Sequence, residues 1–495
     1  MLHVTAAALG SRAFLSQLLA LPQLLAFPRL LALGLAVGGC ASSSTAWTPP
    51  ANQDRRDVPA EVRPGHGDAG NGTWFPLTAP EVAALGQLAD ARQGDARALL
   101  GLALVASAGP REAASYAAFQ DRVDKFVAEV RPAVTAAADD WHRGYELHRA
   151  MHRVFFRGGR GELDGYELSQ SRVAGIFETG RYNCLSSSLL FVVLARALDL
   201  PVRAVVVPTH VFVELGPPGG KIIEVETTSA TGFDWVHDER FYRDEARNWS
   251  STRGLRPVTL DDYQHRQIVE PARLMAVAMR NAHPGESEQD RKRMAELAAI
   301  IDDGDSEMQQ ARLGAYLNEA HDLYEAKAWR TMVKLFDAVA TGVRDIAARS
   351  KDPKTLELVS WANWQYSHAL LIVGRGDDAA ALMSEGLDRL DPTWPDADKL
   401  TTNYLSELNN RICESIDKKD PARALKLYTR HKPACLSNQV CAGNVGVVYG
   451  NWAIDYQNAG DWQGARRVLQ ECAAELPADT RCRDALTDLE SKHRF

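Results

Sequence analysis

The sequence predicts an α+β domain in which one apolar helix packs on an antiparallel sheet, followed by an all-α helical array. Three observations predict it. A strongly apolar run begins at Cys184 and ends near Leu200, just ahead of Pro201. The only β-rich phrases follow at once, VRAVVV at 202–207, HVFVEL at 210–215 and KIIEVE at 221–226, the last two separated by GPPGG, a hairpin signal. After about residue 285 the strand signals vanish and the periodicity is helical to the end.

With 495 residues the chain exceeds one ordinary core, so two folded domains with an appendage are expected. A hydrophobic fraction of 45% with 24% charge is that of a globular protein, and the formal charge of -8 argues against nucleic acid as a partner. Residues 1–39 carry Arg12 and Arg29 but no acid, are rich in Leu and Ala, and read as an export signal. Pro22, Pro28 and Arg29 interrupt the run, so it is too short to span a bilayer, which needs roughly 20 residues. Residues 40–75 are polar and rich in Pro and Gly, as a flexible tether would be.

From Pro80 to about Phe156 apolar residues recur three and four apart, giving helices that open a domain over 76–275. His142, His148 and His152 share helical spacing there. No third ligand stands near them, so they are read as a solvated face rather than a metal pair. The second domain is placed at 285–495. It holds five cysteines. Cys435 with Cys441, and Cys472 with Cys482, are near enough to pair as disulfides if the chain is exported, while Cys413 makes the number odd. None has CxxC spacing, so no metal is expected, nor any cofactor.

The candidate chemistry lies between Glu178 and Ser229. A helix start presents free N–H groups and the positive end of the macrodipole, the setting of reactive thiolates, and Cys184 opens such a helix. His210 opens a strand and Glu226 ends its hairpin partner. Side by side, a carboxylate holds one imidazole nitrogen while the other faces the sulfur. Glu224 offers the same chemistry on the same face, one pair away. The Cys184 N–H is the expected oxyanion donor, with Asn183, Tyr182 and Gln170 as candidates for support. Ser186, Ser187 and Ser188 are read as first-turn residues without a serine-hydrolase motif around them.

These phrases carry a family resemblance. NCLSSSLLFVVLARALDLPVRAV resembles the nucleophile helix and first strand of the transglutaminase-like (papain-like cysteine) superfamily, THVFVEL its histidine strand, and IEVETTS its closing phrase. The order Cys, His, acid is the family's, and the match is nearest to a bacterial branch fused to helical repeats. Two positions depart from the pattern: Glu226 stands for the usual Asp, and Thr227 for the usual Pro. The resemblance implies catalytic Cys184, His210 and Glu226 acting on amide bonds of a peptide or protein through a thioester, by hydrolysis or by acyl transfer. The alternative is a catalytically silent envelope scaffold.

Two further resemblances complete the expectation. Val37, Gly38, Gly39 and Cys40 resemble a bacterial lipobox, which implies acylation of Cys40, a lipid anchor in the membrane, and a place in the cell envelope. Ala41 and the serines after it, with no Asp, point to the outer membrane, facing the periplasm. Ala453, Tyr456, Gly460, Ala465, Leu469, Cys472 and Pro477 resemble a tetratricopeptide repeat, with a second copy through Leu371, Ala380 and Pro392 and degenerate ones around Ala424 and Trp329. Ala380, Ala424 and Ala465 are spaced more widely than the roughly 34 residues of the ideal repeat. Such arrays imply a protein partner.

Overall fold

The computed structural model describes residues 74–108, 113–156, 165–216, 221–235, 258–280, 287–493 and 495. The expected leader, Cys40 and the expected tether lie outside the described residues, as does most of the GPPGG hairpin signal, at 217–220. The chain divides into two compact units between Ala315 and Tyr316.

In the first unit, α1 (Ala79–Gly86), α2 (Leu88–Gln93) and α3 (Ala96–Ala108) lead to α4 (Ala113–Ala136), α5 (Asp140–Phe155), α6 (Val173–Thr179) and α7 (Cys184–Ala197). Helix α7 is the centre of the unit. Every residue from Cys184 to Ala195 is buried, so the helix is wrapped on all sides rather than laid on a surface. Its start is built by Asn183, whose Oδ1 accepts from the Leu185 and Ser186 N–H groups at 2.9 and 3.0 Å, while the Ser186 hydroxyl accepts from the Asn183 N–H at 3.0 Å. That reciprocal box satisfies three otherwise orphaned donors. Its end is Leu198, followed by Asp199 at φ 57.

The sheet contains β1 (Val202–Val207), β2 (His210–Leu215), β3 (Ile223–Val225) and β4 (Gln267–Val269) in the order β3-β2-β1-β4, antiparallel throughout. Strand β4 has no counterpart in the sequence reading. It is three residues long, two of them exposed, too short for alternation to register. Between β1 and β2 the turn is two residues, since Val207 pairs with His210. Val202, Ala204, Val211, Val213, Leu215, Ile223 and Val225 join the α7 leucines in the main core. Val205, Val207 and Phe212 turn to the other face with Val258, where Tyr263 of α8 (Leu260–Gln264) packs on them.

Helix α9 (Pro271–Arg280) packs on α3 and on α10 (Glu288–Ile301), so this unit runs past residue 285 to Ala315. Trp74, where the described chain begins, is clamped to them. Its N–H donates to Glu296 of α10 at 2.7 Å, and the Arg312 guanidinium lies over its ring, 3.9 Å from the centroid. Arg312 belongs to α11 (Ser306–Glu325), and it also bonds Glu296 at 2.6 and 2.8 Å.

The second unit is helical: α12 (Trp329–Arg349), α13 (Pro353–Ile372), α14 (Gly376–Arg389), α15 (Ala397–Asp417), α16 (Pro421–Arg430), α17 (Lys432–Leu436), α18 (Gln439–Asn458), α19 (Trp462–Glu475) and α20 (Thr480–Lys492). Sequence neighbours pack as antiparallel hairpins, with Gly374 and Gly460 at φ 85 and 73 in the turns. Ala453, Ala465, Leu469 and Cys472 are buried where α18 meets α19. Disulfides join Cys435 to Cys441, and Cys472 of α19 to Cys482 of α20. Among the described residues, no helix is long and apolar enough to cross a membrane.

Candidate active site

Three elements of the first unit bring Cys184, His210 and Glu226 together. Cys184 is the first residue of α7, His210 the first of β2, and Glu226 stands one residue beyond β3, which ends at Val225. The His210 Nε2 and a Glu226 carboxylate oxygen are 2.6 Å apart. The Cys184 thiol lies close enough to the same ring to raise its pKa. With Nε2 committed to Glu226, Nδ1 is the nitrogen left to serve the sulfur. Cys184 is the free cysteine among the described residues, and it is 5% exposed.

Side-by-side pairing is not how the acid reaches the histidine. Val213 faces Val225 in the ladder, so continuing the register sets Phe212, not His210, opposite Glu226. The contact is therefore diagonal, and the extra methylene of Glu relative to Asp supplies reach across that offset. The other oxygen of Glu226 accepts from the Thr228 N–H at 3.1 Å and its hydroxyl at 2.5 Å. A tight turn holds the segment: the Glu226 N–H donates to the Gly232 carbonyl at 2.8 Å, and a Cβ on Gly232 would fall 2.3 Å from the Glu226 carbonyl oxygen.

Burial alone would keep both members of this pair neutral. For His210 that penalty is outweighed by the Glu226 charge, by the Cys184 thiol close by and by the hydrogen bond the ring donates to Glu226, which raise its pKa. For Glu226 it is outweighed by the His210 charge and by hydrogen bonds from His210 and Thr228, which lower it. The favoured state is an imidazolium clasped by a carboxylate. Thr209, immediately before His210, has φ 67, a strained conformation for a β-branched residue, at the position that aims the imidazole.

The remaining candidates have other partners. Asn183 donates its amide hydrogens to the Leu168 carbonyl at 2.9 Å and the Ser171 hydroxyl at 2.8 Å, so its side chain is committed to the helix start. Tyr182 stacks on Phe156 with centroids 3.9 Å apart, and its hydroxyl donates to the Thr228 carbonyl at 3.2 Å. The Gln170 side chain lies over Gly175 of α6, and the Gln170 backbone carbonyl accepts from the Ser186 hydroxyl at 2.7 Å. Asn183 takes the second and third N–H groups of α7 and leaves the first, that of Cys184, out of the cap. Glu224 sits opposite Glu214 and is bonded by the Tyr263 hydroxyl, away from the imidazole.

Two parts of the sequence reading need correction. His148 and His152 are buried, not solvated; only His142 is exposed, paired with Asp139 at 2.8 Å. The two buried rings touch, with centroids 4.6 Å apart, and pack under the acid-bearing turn. His148 faces the backbone of Glu226 and Ser229, and His152 that of Thr227. Burial and the neighbouring His152 push the pKa of His148 down to about 3, and burial pushes that of His152 down to about 4. The serines are more than first-turn residues. Ser187 and Ser188 are both fully buried and reach the Thr227 hydroxyl at 2.7 and 3.0 Å, and Ser188 also donates to the Val211 carbonyl at 3.3 Å. Only the run of small hydroxyls on an otherwise apolar helix hinted at this in the sequence. Among the described residues, no group of three or more His, Cys, Asp or Glu side chains is arranged to hold a metal.

Residues 117–275 match the model of the family described as Transglutaminase-like superfamily, so the chain carries a transglutaminase-like domain over that span. No curated protein and no solved structure matches the chain.

Proposed function

We propose that the protein is a cysteine-nucleophile enzyme acting on amide bonds of a peptide or protein. The observation that carries this reading is the His210–Glu226 hydrogen bond of 2.6 Å with the Cys184 thiol against the same imidazole. His210 holds the thiol proton as an imidazolium paired with Glu226, the sulfur attacks the amide carbon, and the carbonyl electron pair moves onto oxygen beside the Cys184 N–H. Collapse re-forms the carbonyl and expels the amine, which leaves with the proton from His210. The thioester then passes its acyl group to water or to an amine, His210 deprotonating the acceptor and the sulfur leaving to regain its proton. Water makes the enzyme a peptidase or amidase; an amine makes it a transglutaminase. Glu226 keeps the imidazole oriented and stabilises its charged form throughout.

The same proposal takes Cys40 as a lipidation site and the protein as an outer-membrane lipoprotein facing the periplasm, supported by the leader and the small residues before that cysteine. The second unit is read as tetratricopeptide-like and as the seat of a protein partner, supported by its helix hairpins and the buried small residues where they cross. The second reading, a catalytically silent scaffold, is favoured by one observation: Cys184 is 5% and His210 1% exposed.

A thiol-directed acyl probe applied to the full chain tests the choice. Labelling that requires both Cys184 and His210, and is lost in Cys184→Ala and His210→Ala, supports the enzyme. Labelling untouched by His210→Ala removes the triad mechanism and leaves the scaffold.

A further inference from the structure

We infer that Thr227, with Ser187 and Ser188, is a positioning latch that fixes the acid-bearing turn against the nucleophile helix, a device resting on the enzymatic reading above. The three members of the site come from separate elements, and the β-ladder does not align two of them: β3 stops at Val225, and its register leaves Glu226 offset from His210. Something other than the sheet must set the distance from the acid to the helix that carries the sulfur.

The Thr227 hydroxyl is the direct side-chain link between that turn and α7. It is completely buried, lies next in sequence to Glu226, and bonds Ser187 at 2.7 Å and Ser188 at 3.0 Å. A hydroxyl offers one donor and two acceptor sites, so Thr227 can accept from one serine while donating to the other. Three hydroxyl hydrogens serve these contacts: one serine donates to Thr227, and the other accepts from Thr227 and donates in turn to a carbonyl, that of Cys184 at 3.3 Å for Ser187 or that of Val211, the residue after His210, at 3.3 Å for Ser188. One threonine thus ties the acid-bearing turn to the backbone of the nucleophile or of the histidine strand. Buried hydroxyls are costly when unpaired, which makes the arrangement close to all-or-none.

The test is the alkylation rate of Cys184 by iodoacetamide across pH, on the full chain with disulfides intact, in wild type, Thr227→Val, Thr227→Ser, His210→Ala and the Thr227→Val/His210→Ala double variant. Thr227→Val should slow alkylation by about 10- to 100-fold at neutral pH, with its pH profile collapsing onto that of His210→Ala. Thr227→Ser should restore the wild-type profile, and the double variant should be no slower than His210→Ala alone. If Thr227→Val does not fold, Ser187→Ala and Ser188→Ala carry the same expectation singly. A wild-type profile in folded Thr227→Val overturns the latch while the triad stands, and so does an additive double variant. Wild type and His210→Ala reacting alike would instead sink the triad reading on which the latch depends.

Discussion

Glu226 holds the Nε2 of His210 at 2.6 Å although the strand register sets Phe212, not His210, opposite it. The acid is placed by what surrounds its turn: Thr228 on one carboxylate oxygen, Gly232 beneath the backbone, and Thr227 against α7. Most of the expectations that follow concern that turn.

Glu226→Gln removes the charge that raises the His210 pKa, so the imidazole should titrate about one to three pH units lower, as read from its ring-proton NMR signal. The stability consequence has a definite sign. A histidine whose folded pKa lies above its ordinary 6.5 stabilises the fold fully below 6.5, and loses that contribution as pH rises through the folded value. The wild-type chain should therefore lose stability on the alkaline side of 6.5 more steeply than Glu226→Gln. Equal slopes would mean the pair is not coupled.

His148 and His152 act in the opposite direction. Their folded pKa values, about 3 and about 4, lie below the ordinary 6.5, so below 6.5 the unfolded chain binds protons that the folded chain refuses. Stability of the first unit should fall as pH drops from 6.5 toward 4. His148→Leu with His152→Leu should flatten that fall, as followed by thermal melts at stepped pH.

Gly232→Ala sets a Cβ 2.3 Å from the Glu226 carbonyl oxygen, a backbone atom that cannot swing aside. We expect a loss of about 1–3 kcal/mol in chemical unfolding, together with slower labelling of Cys184. Gly86, in α1 with nothing within 4 Å of its added Cβ, is the control: Gly86→Ala should not lower stability and should leave labelling of Cys184 unchanged.

Each disulfide closes a short loop, of sequence separation 6 for Cys435–Cys441 and 10 for Cys472–Cys482. The chain-entropy model gives about 2–3 kcal/mol for loops of this size. Replacing either pair by Ala should lower the unfolding transition of the second unit and leave that of the first in place, as resolved by calorimetry on the full chain.

Much of the site was legible because it depends on local signals. The Asn183 cap, the apolar run after Cys184 and the alternation through 202–215 mark the helix and two strands without reference to anything distant. What the sequence could not supply was tertiary. His148 and His152 carry the spacing of any polar helix face, and what makes them internal is packed over them from elsewhere: the turn at 226–229, Phe191 and Phe233 against His148, and Phe156 and Tyr182 against His152. The diagonal placement of Glu226 was hidden because alternation names a face but not a register. Thr227 looked like a departure from the family phrase, and its bonds to Ser187 and Ser188 span 40 and 39 residues.

The clasp on Trp74 bears on mechanics. A pull arriving along the chain from residue 73 meets Glu296 and Arg312 before any other described side chain of the first unit. Both lie on α10 and α11, more than 60 residues beyond the Glu226 turn in sequence. That first described residue is thus held by a carboxylate and a guanidinium–indole stack on helices, and neither belongs to the strands that align sulfur, imidazole and carboxylate.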